Sequence, residues 1–536
     1  MKRSYYLSYL VYFLCAAIIF PYVQYYADNP DTFQYLDIAK KYLNGDLKNA
    51  INGYWSPMIS WLLLLPLLVF KVELLAFKIL QLLIGAFTFS QWHRLLKRFP
   101  LNERWKKVLV FFPIPFLLDY ALLNATPDLL FVGLTLVLIN QMLEGRIFKE
   151  RKSAILTGIT GAVLYFTKAF GLPFFLVLMI VFLTHQLVKK GNKTLIFKNA
   201  STLFFVFLIL TFFWIFPLSR HYQKFTISEA VRFNMSREAA PLPERGPELP
   251  ILSKGLYEPL NNNASAWETP GEYLSQGTIT LFNSPKEYLS VVKRNILSIY
   301  YFDFRNQVGI FFIALFFLFL FRRGFGELMK VRHVSFALIF IILIYGSYAL
   351  ILVHTRYVWI NTWLMLLSSV YFIQETISFQ KWKTTTSLLF YFLLALAIKR
   401  PLKEIFFTSD ENLPVQWMFH SLKQPLTTLW ILYKPDLQLQ QDIQEIEKAG
   451  ILKGNVASLK VNSSERDPYT NSLRIARENH CRYFGQLDYG LSEEKQLMEL
   501  QKFKIDFLLT SGYKEWGLTS PVYFNPETGI RIYKVK

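Results

Sequence analysis

The chain has 536 residues, of which 53% are hydrophobic and only 18% are charged. This composition is too apolar for a soluble enzyme of this length and indicates a protein that crosses a membrane several times. The formal charge of +20 is spread between the apolar runs, and no nucleic-acid-binding motif accompanies it, which argues against a nucleic-acid partner. The two cysteines, Cys15 and Cys481, do not form a disulfide framework.

The first apolar run, residues 5–23, follows Met-Lys-Arg and is followed by no small-residue cleavage site, so we interpret it as a retained membrane anchor. The positive-inside rule places the loops rich in Lys and Arg in the cytoplasm. These loops are 92–107, 144–152, 189–198, 322–332 and 381–383. The predicted spans between them are 108–123, 128–143, 154–167, 171–188, 200–218, 308–321, 334–353, 357–375 and 386–399.

Two further apolar runs, 56–70 and 74–91, lie where this topology allows only one crossing. The shorter run is interrupted by Pro66, so we expect it to be re-entrant or interfacial. The prediction is then about 11 transmembrane helices within residues 1–400, with the C-terminus outside. Exterior loops at 24–55 and 219–307 follow from the same count, and the second is long enough to predict a lid or a substrate-contacting role.

Residues 401–536 have a different pattern, in which helical periodicity alternates with short strand-like runs. "PVYF" and "GIRIYKV" are joined by "NPETG", which is typical of a hairpin. We therefore predict a soluble exterior α/β domain with a partly parallel sheet. It has no glycine-rich phosphate loop and no metal-spaced His or Cys cluster, so a structural or acceptor-binding role is favoured over a catalytic one.

Several charged residues fall in or beside the short exterior segments: Asp28, Asp31, Asp128, Lys168 and Arg356. Each has a structural interpretation, since the carboxylates could cap helices and the cations could reach lipid headgroups. Charges near the membrane are nevertheless functional candidates, and the positive-inside rule predicts few cations here. Two cations beside two or three carboxylates suit an anion together with a hydroxyl that must lose a proton.

The neighbouring polar and aromatic residues are less distinctive. Lys40 and Lys41 are expected on a solvated helix face, and Trp55 with the tyrosines of 22–35 could form an aromatic belt at the membrane surface.

The order of these motifs resembles the GT-C superfamily of membrane glycosyltransferases. More narrowly, it is similar to the bacterial branch related to protein O-mannosyltransferases and to the lipid A aminoarabinose transferase. The resemblance covers roughly residues 1–400. It rests on a first span followed by Asp31, Tyr35, Ala39 and Gly45 at family spacing, on "YWSP" at 54–57, on "PDLLFVGLTLVL" at 127–138, on "FTKAFGLPFF" at 166–175 and on "TRYVWINTWLMLL" at 355–367.

The resemblance implies an inverting transfer of a monosaccharide from a polyprenyl-phosphate donor to an acceptor hydroxyl of a lipid, glycan or protein. It also implies a multi-pass protein of the bacterial inner membrane with a periplasmic C-terminal domain. By position, Asp31 would be the general base, and Asp128 would support the acceptor or a divalent cation. The departure from the family's Asp-Glu at Asp31-Thr32 leaves Asp28 as an alternative base and makes a divalent cation only a possible cofactor.

The remaining site residues are assigned by their place near these motifs. Lys168, Arg356, Tyr357 and His354 are predicted to hold the donor phosphate, and Tyr35 and Trp55 to contact acceptor or sugar.

Two alternative functions stay open from the sequence. An O-antigen ligase or polymerase-like transferase would use a pyrophosphate-linked glycan and the cations of loop 219–307, namely Arg220, His221, Arg232, Arg237 and Arg245. A lipid flippase or transporter would instead need repeats or broken helices with polar residues near mid-membrane. A scaffold protein that recruits a partner is a third and weaker alternative.

Overall fold

The computed structural model describes residues 2–27, 29–188, 192–239, 255–273, 279–305, 308–376, 383–407, 424–459, 468–487, 490–510, 516–517 and 519–535. Most of the described residues are helical, as the long apolar runs require, because a helix satisfies its own backbone hydrogen bonds in lipid. Six of the described helices are long and apolar enough to cross a membrane, and a seventh is added if 285–305 and 309–323 form one span.

The helices of the first half are α1 Lys2–Val23, α2 Asp31–Leu43, α3 Leu47–Ala50, α4 Met58–Val69, α5 Glu73–Arg98, α6 Glu103–Leu109, α7 Ile114–Leu118, α8 Asp128–Glu144, α9 Arg151–Thr167, α10 Gly171–Val188 and α11 Lys193–His221. Those that follow are α12 Ala230–Ala239, α13 Pro285–Ile299, α14 Gly309–Arg323, α15 Phe325–Lys330, α16 Arg332–Ala349, α17 Thr355–Thr376, α18 Lys383–Phe407, α19 Pro425–Ala449, α20 Pro468–Glu478 and α21 Glu493–Lys502. Short 3₁₀ turns lie at Ala266–Glu268 and Pro270–Tyr273, and π-helical turns at Asp119–Leu123 and Tyr300–Arg305.

Two predicted spans differ from the observed helices, and the run expected to be re-entrant or interfacial forms only a short helix. The run 56–70 forms only the twelve-residue α4, about 18 Å long and shorter than a hydrocarbon core. The prediction of one span over 108–123 is wrong, because Pro113 and Pro115 divide it into α6, α7 and a π-helical turn. The last predicted span ends at 399, whereas α18 continues through Pro401 to Phe407, so the boundary at residue 400 falls inside a helix.

The C-terminal region contains a six-stranded sheet in the order β1-β3-β2-β4-β6-β5. Its strands are β1 Gly255–Leu256, β2 Asn455–Leu459, β3 Arg482–Leu487, β4 Phe507–Thr510, β5 Tyr523–Phe524 and β6 Arg531–Lys534. The strand β2 pairs in parallel with both β3 and β4, whereas β6 is antiparallel to β4 and to β5. The strands β2 to β6 and the helices between them lie where the sequence periodicity predicts them.

One strand of this sheet does not come from the C-terminal region. Strand β1 belongs to the long loop 219–307, and it pairs antiparallel with β3 through Gly255 opposite Gln486. The backbone N–H of Tyr257 donates to the carbonyl oxygen of Phe484 at 2.7 Å, and that of Tyr483 donates to Ala264 at 2.8 Å. The loop and the C-terminal region therefore share a sheet.

Helix α2 lies between the apolar helices and this sheet-containing region. The expectation that Lys40 and Lys41 lie on a solvated face is wrong for Lys41, which is buried, whereas 37% of the Lys40 side chain is exposed. Lys41 is buried against Glu268 of the long loop, and Lys40 pairs with Glu73 at the start of α5. Helix α2 is consequently enclosed on most sides, and all of its residues from Asp31 to Ala39 are buried.

Candidate active site

Four chain segments that are far apart in sequence meet at one end of the helices. Asp31 is the first residue of α2, and Asp128 is the first residue of α8. Lys168 directly follows the last residue of α9, and Arg356 is the second residue of α17. A helix start favours a carboxylate through the helix dipole, which explains why both aspartates are tolerated there.

These four side chains form one network of ion pairs. The Nζ of Lys168 lies 2.6 Å from Oδ1 of Asp128, and Nη2 of Arg356 lies 2.8 Å from Oδ2 of Asp31. The Nε of Arg356 is also 3.8 Å from Oδ2 of Asp128, so this carboxylate lies between the two cations. Both carboxylates are almost fully buried, and their charge is balanced within the network.

Aromatic rings support the two cations. The Nζ of Lys168 lies 3.6 Å from the centroid of the Tyr357 ring, and the guanidinium carbon of Arg356 lies 5.4 Å from it. Tyr348 stacks on Tyr357 with a centroid distance of 5.1 Å. Cation–π contacts of this kind stabilise positive charge without neutralising it, so the cations remain available to a ligand anion.

The carboxylate of Asp31 is held on both of its oxygens. Oδ2 accepts from Arg356, and Oδ1 accepts from the indole Nε1–H of Trp267 at 3.1 Å. The backbone N–H of Asp31 donates to Oδ1 of Asn29 at 2.9 Å. A carboxylate has about four lone-pair positions, so Asp31 can accept a further hydrogen bond from a bound hydroxyl.

The network faces an open cavity with an empty volume of about 970 Å³, counting its mouth. Tyr35 and Trp55 lie on its wall, with their ring centroids 5.4 Å apart, and the Trp55 Nε1–H donates to the backbone carbonyl of Trp267 at 3.2 Å. Burial and the nearby carboxylate of Asp31 raise the pKa of Tyr35 well above its usual value, so its hydroxyl stays protonated.

Most of the residues singled out from the sequence meet at this cavity. Its lining includes Asp31, Tyr35, Trp55, Asp128, Lys168, Arg356 and Tyr357. His354 is not among the lining residues; its ring packs edge-on against Tyr357 at 5.4 Å. Asp28 lies outside the described residues.

Other lining or supporting residues were missed from the sequence. Trp267 comes from the long loop, Tyr348 from the end of α16, and Thr126 donates its hydroxyl to Asp128 at 2.8 Å. Asn52 accepts the backbone N–H groups of Tyr54 and Trp55 and so fixes the Trp-Ser-Pro entry into α4. The only sequence signal for Trp267 is its place in a polar exterior loop, which indicates contact with substrate but names no residue.

The donor set of the cavity suits an anion better than a metal ion. Among the residues that the structure describes, no group of three or more His, Cys, Asp or Glu side chains is arranged to hold a metal. The oxygens of Asp31 and Asp128 are already occupied by Arg356, Lys168, Trp267 and Thr126. The possible divalent cation therefore remains a prediction of the sequence.

The cations proposed for a pyrophosphate-glycan transferase lie elsewhere. Arg220, His221 and Arg232 are not among the residues that line this cavity, and Arg232 pairs with Glu229 at 3.3 Å. Arg245 and the side chain of Arg237 lie outside the described part of the chain.

The helical core carries a polar cavity at one end and packs against a sheet-containing region. The structure is similar to the crystal structure of ArnT from Cupriavidus metallidurans bound to undecaprenyl phosphate, with a TM-score of 0.52 and 13% sequence identity. The likeness covers 98% of this chain and 97% of that chain, and it confirms the predicted resemblance for the fold. No protein-family model matches the sequence, and no curated protein matches it.

Proposed function

We propose that this protein is an inverting glycosyltransferase that moves a monosaccharide from a polyprenyl-phosphate donor to the hydroxyl of an acceptor. The observation that carries the proposal is the pairing of Lys168 and Arg356 on the shared carboxylate of Asp128, directly beside Asp31. The similar protein ArnT was solved with undecaprenyl phosphate, which supports a lipid phosphate as the ligand here.

The two cations would bind the phosphate of the donor. The donor phosphate is a diester that leaves as a phosphate monoester, so negative charge grows on its oxygens during transfer. Arg offers a planar fork to such oxygens, and Lys offers a point charge. Lys168 and Arg356 are both partly exposed to the cavity, at 16% and 23% of their side chains, so a ligand can reach them. In a site with little water, this attraction stabilises the phosphate as it leaves.

Asp31 would act as the general base. The oxygen of the acceptor hydroxyl attacks the anomeric carbon of the sugar, and the bond from that carbon to the phosphate oxygen breaks. The phosphate leaves with the bonding electron pair, and the hydroxyl proton passes to Asp31. Such proton removal contributes roughly 10²–10⁴-fold to a rate. One displacement at the anomeric carbon inverts its configuration.

Binding of the donor phosphate would also change the state of Asp31. In the structure Arg356 donates to Asp31 at 2.8 Å, so one oxygen of the carboxylate is engaged by a cation. A phosphate that draws Arg356 toward itself would weaken this bond, so donor binding would prepare the base. Asp128 would position the two cations rather than react.

The place of the reaction follows from the positive-inside count. The cavity lies at the end of the helices where the predicted exterior segments meet, so we propose a bacterial inner-membrane protein whose site opens to the periplasm. The acceptor is a lipid, a glycan or a protein that carries a free hydroxyl.

The experiment that tests this function is native mass spectrometry of lipids that copurify with the protein. We expect the wild-type protein to retain a polyprenyl-phosphate monosaccharide, and the Arg356→Ala variant to lose it. The matched control is Arg323→Ala, an exposed arginine at the end of α14 outside the cavity lining. A bound pyrophosphate-linked oligosaccharide would contradict the proposal, as would ordinary phospholipid that is unchanged in Arg356→Ala.

A further inference from the structure

The start of α17 carries two residues of the cavity. Arg356 and Tyr357 are the second and third residues of this helix, and Thr355 is the first. The first turn of a helix lacks some of the backbone hydrogen bonds that hold the later turns, so its position depends on contacts from other segments. The direction of the Arg356 fork therefore depends on what holds the first turn of α17.

The neighbouring helix makes such a contact through Arg400. Helix α18 packs against α17, and its later part lies beside the start of α17. There Nη2 of Arg400 donates to Oγ1 of Thr355. Neither residue is among those that line the cavity, so this hydrogen bond supports the site from outside the lining.

The guanidinium of Arg400 is itself oriented within α18. Its Nε lies 3.7 Å from Oε1 of Glu404, one helical turn further along. A guanidinium is planar, so a partner at one nitrogen also sets the direction of the others. The donor that reaches Thr355 therefore has a defined direction.

Helix α18 also supports the segment that leads to Asp128. It packs against the π-helical turn Asp119–Leu123. In that turn Oδ1 of the buried Asp119 accepts from the side-chain amide of Asn124 at 2.8 Å, and Asn124 begins the short segment before α8. One helix outside the cavity thus supports the segments that carry Asp128 and Arg356.

Arg356 tolerates little displacement. Its Nη2 lies 2.8 Å from Oδ2 of Asp31 and its Nε lies 3.8 Å from Oδ2 of Asp128, so one fork reaches two carboxylates. A misplacement of about 1 Å in a site can reduce a rate by roughly 10²-fold. Lys168, the other cation, follows α9, which packs mainly against α8, α10 and α11 and so draws its support from other helices.

We infer that Arg400 is a positioning residue that acts through Thr355 to hold Arg356 in place for the donor phosphate. This inference rests on the proposed function, in which Arg356 binds that phosphate. It adds a residue outside the cavity lining on which phosphate binding depends.

The test uses Thr355 because Arg400 has a second role. The charge of Arg400 also acts on the buried carboxylates of Asp119 and Asp303, so removing Arg400 would reduce stability in any case. Thr355→Val keeps the shape of the side chain and loses the hydroxyl that accepts from Arg400. Thr355→Ser keeps this hydroxyl and loses only a methyl group.

Binding of bare polyprenyl phosphate is measured by titration of the purified protein in native mass spectrometry. We expect Thr355→Val to weaken binding by roughly 10-fold, because a hydrogen bond to a charged group is lost, and Thr355→Ser to bind like the wild type. The matched control is Thr376→Val at the other end of α17, which removes a hydroxyl that donates to the carbonyl of Phe372 and should leave binding unchanged.

A double-mutant cycle separates positioning from a general structural effect. In Arg356→Ala, the further change Thr355→Val should have no effect on the remaining affinity, because the residue that it displaces is absent. In Lys168→Ala, the same change should still weaken binding by roughly 10-fold. A general loss of structure would weaken binding equally in both variants.

A second variant covers the case in which Thr355→Val does not fold. Arg400→Lys keeps the positive charge beside Asp119 and loses the planar fork, so it should weaken binding in the wild type and not in Arg356→Ala.

The outcomes separate the two proposals. The inference is overturned if Thr355→Val binds like the wild type, if Thr355→Ser is as weak as Thr355→Val, or if the loss persists in Arg356→Ala. The proposed function stands through all of these results as long as Lys168→Ala and Arg356→Ala alone weaken binding. If neither does, or if the wild-type protein binds no polyprenyl phosphate, both proposals fail.

Discussion

Two groups of buried ion pairs lie within α2 and its surroundings, and they differ in access to solvent. The cavity group consists of Asp31, Asp128, Lys168 and Arg356. The clamp group consists of Asp37, Glu73 and Arg477 and, one turn further along the same face of α2, of Lys41 and Glu268. In the clamp group Arg477 lies 2.5 Å from Asp37 and 2.5 Å from Glu73, and its side chain is only 4% exposed.

The difference shows how one helix combines a charge that we propose to be catalytic with charges that hold the structure together. The cations of the cavity group face open space, so a ligand anion can exchange with their carboxylates. The cations of the clamp group face no open space. Arg477 comes from α20, packs over the Phe33 ring and closes the contact between α2 and the C-terminal region. The clamp group therefore fixes the helix that positions Asp31, and we attribute a positioning role to the C-terminal region on this basis.

The largest expected effect comes from the cavity group. Asp31→Asn removes the proposed base but keeps the shape and most hydrogen bonds of the side chain. We expect transfer to fall by roughly 10²–10⁴-fold, measured as product formed from a polyprenyl-phosphate sugar. Donor binding and the melting temperature should stay close to those of the wild type. Turnover near the wild-type level would remove the assignment of Asp31 as the base.

The clamp group should respond in stability instead. Arg477→Met leaves the buried carboxylate of Asp37 without its cation, while the partly exposed Glu73 keeps its pair with Lys40. Breaking a buried pair costs about 3–5 kcal/mol of unfolding free energy. Thermal unfolding of the purified protein in lipid nanodiscs measures the loss. The double variant Asp37→Asn/Arg477→Met should recover part of it, since one unpaired carboxylate is removed. If Arg477→Met melts normally but does not bind donor, Arg477 would contribute to donor binding at the cavity and not to stability.

Trp267 links the long loop to the cavity group and should give a smaller effect. Trp267→Phe deletes the 3.1 Å hydrogen bond to Asp31 and keeps an aromatic ring in place. A hydrogen bond to a charged group is worth about 1.5–3 kcal/mol, so we expect kcat to fall by roughly 10-fold or more. A change in KM alone would indicate that Trp267 only shapes the cavity.

The smallest expected effect concerns the second clamp pair. Burial raises the pKa of Glu268 from 4.5 to about 7, although Lys41 beside it acts in the opposite direction. The folded protein therefore holds this proton more tightly than the unfolded chain does. The contribution of Glu268 to stability is complete below pH 4.5 and is lost as the pH rises to about 7.

Glu268→Gln tests this pH dependence because glutamine imitates the neutral acid. Melting temperatures between pH 5 and pH 8 should decline less steeply in the variant than in the wild type. Parallel curves for the two proteins would contradict the raised pKa. Transfer activity at pH 6 should be close to that of the wild type, because Glu268 lies outside the cavity lining.

The local patterns of the sequence carry much of this fold. Apolar runs specify the long helices, because lipid leaves no other partner for the backbone. Alternating periodicity specifies the strands and helices after residue 424. Lys168 and Arg356 are recognisable as functional candidates because they are cations in very short exterior loops, where the positive-inside rule predicts few.

Other features depend on contacts that no local pattern contains. Lys40 and Lys41 have the pattern of a solvated face, but their carboxylate partners are 33 and 227 residues away. Two hydrogen bonds also join distant segments. Trp267 donates to Asp31, which lies 236 residues earlier in the chain, and Asn234 accepts from Tyr54, which lies 180 residues earlier. The strand β1 has only two residues, too few for a sequence signal, and exists because β3 offers it an edge.

By itself the sequence determined the membrane class, most of the helices and strands, and the charged residues that meet at one end of the helices. Each of these follows from the transfer energies and periodicities of neighbouring residues. Only the tertiary structure decided which charges share a cavity and which are buried in the clamp group. An ion pair is defined by distance and by exclusion of water, and both are set by segments that meet in space after the chain has folded.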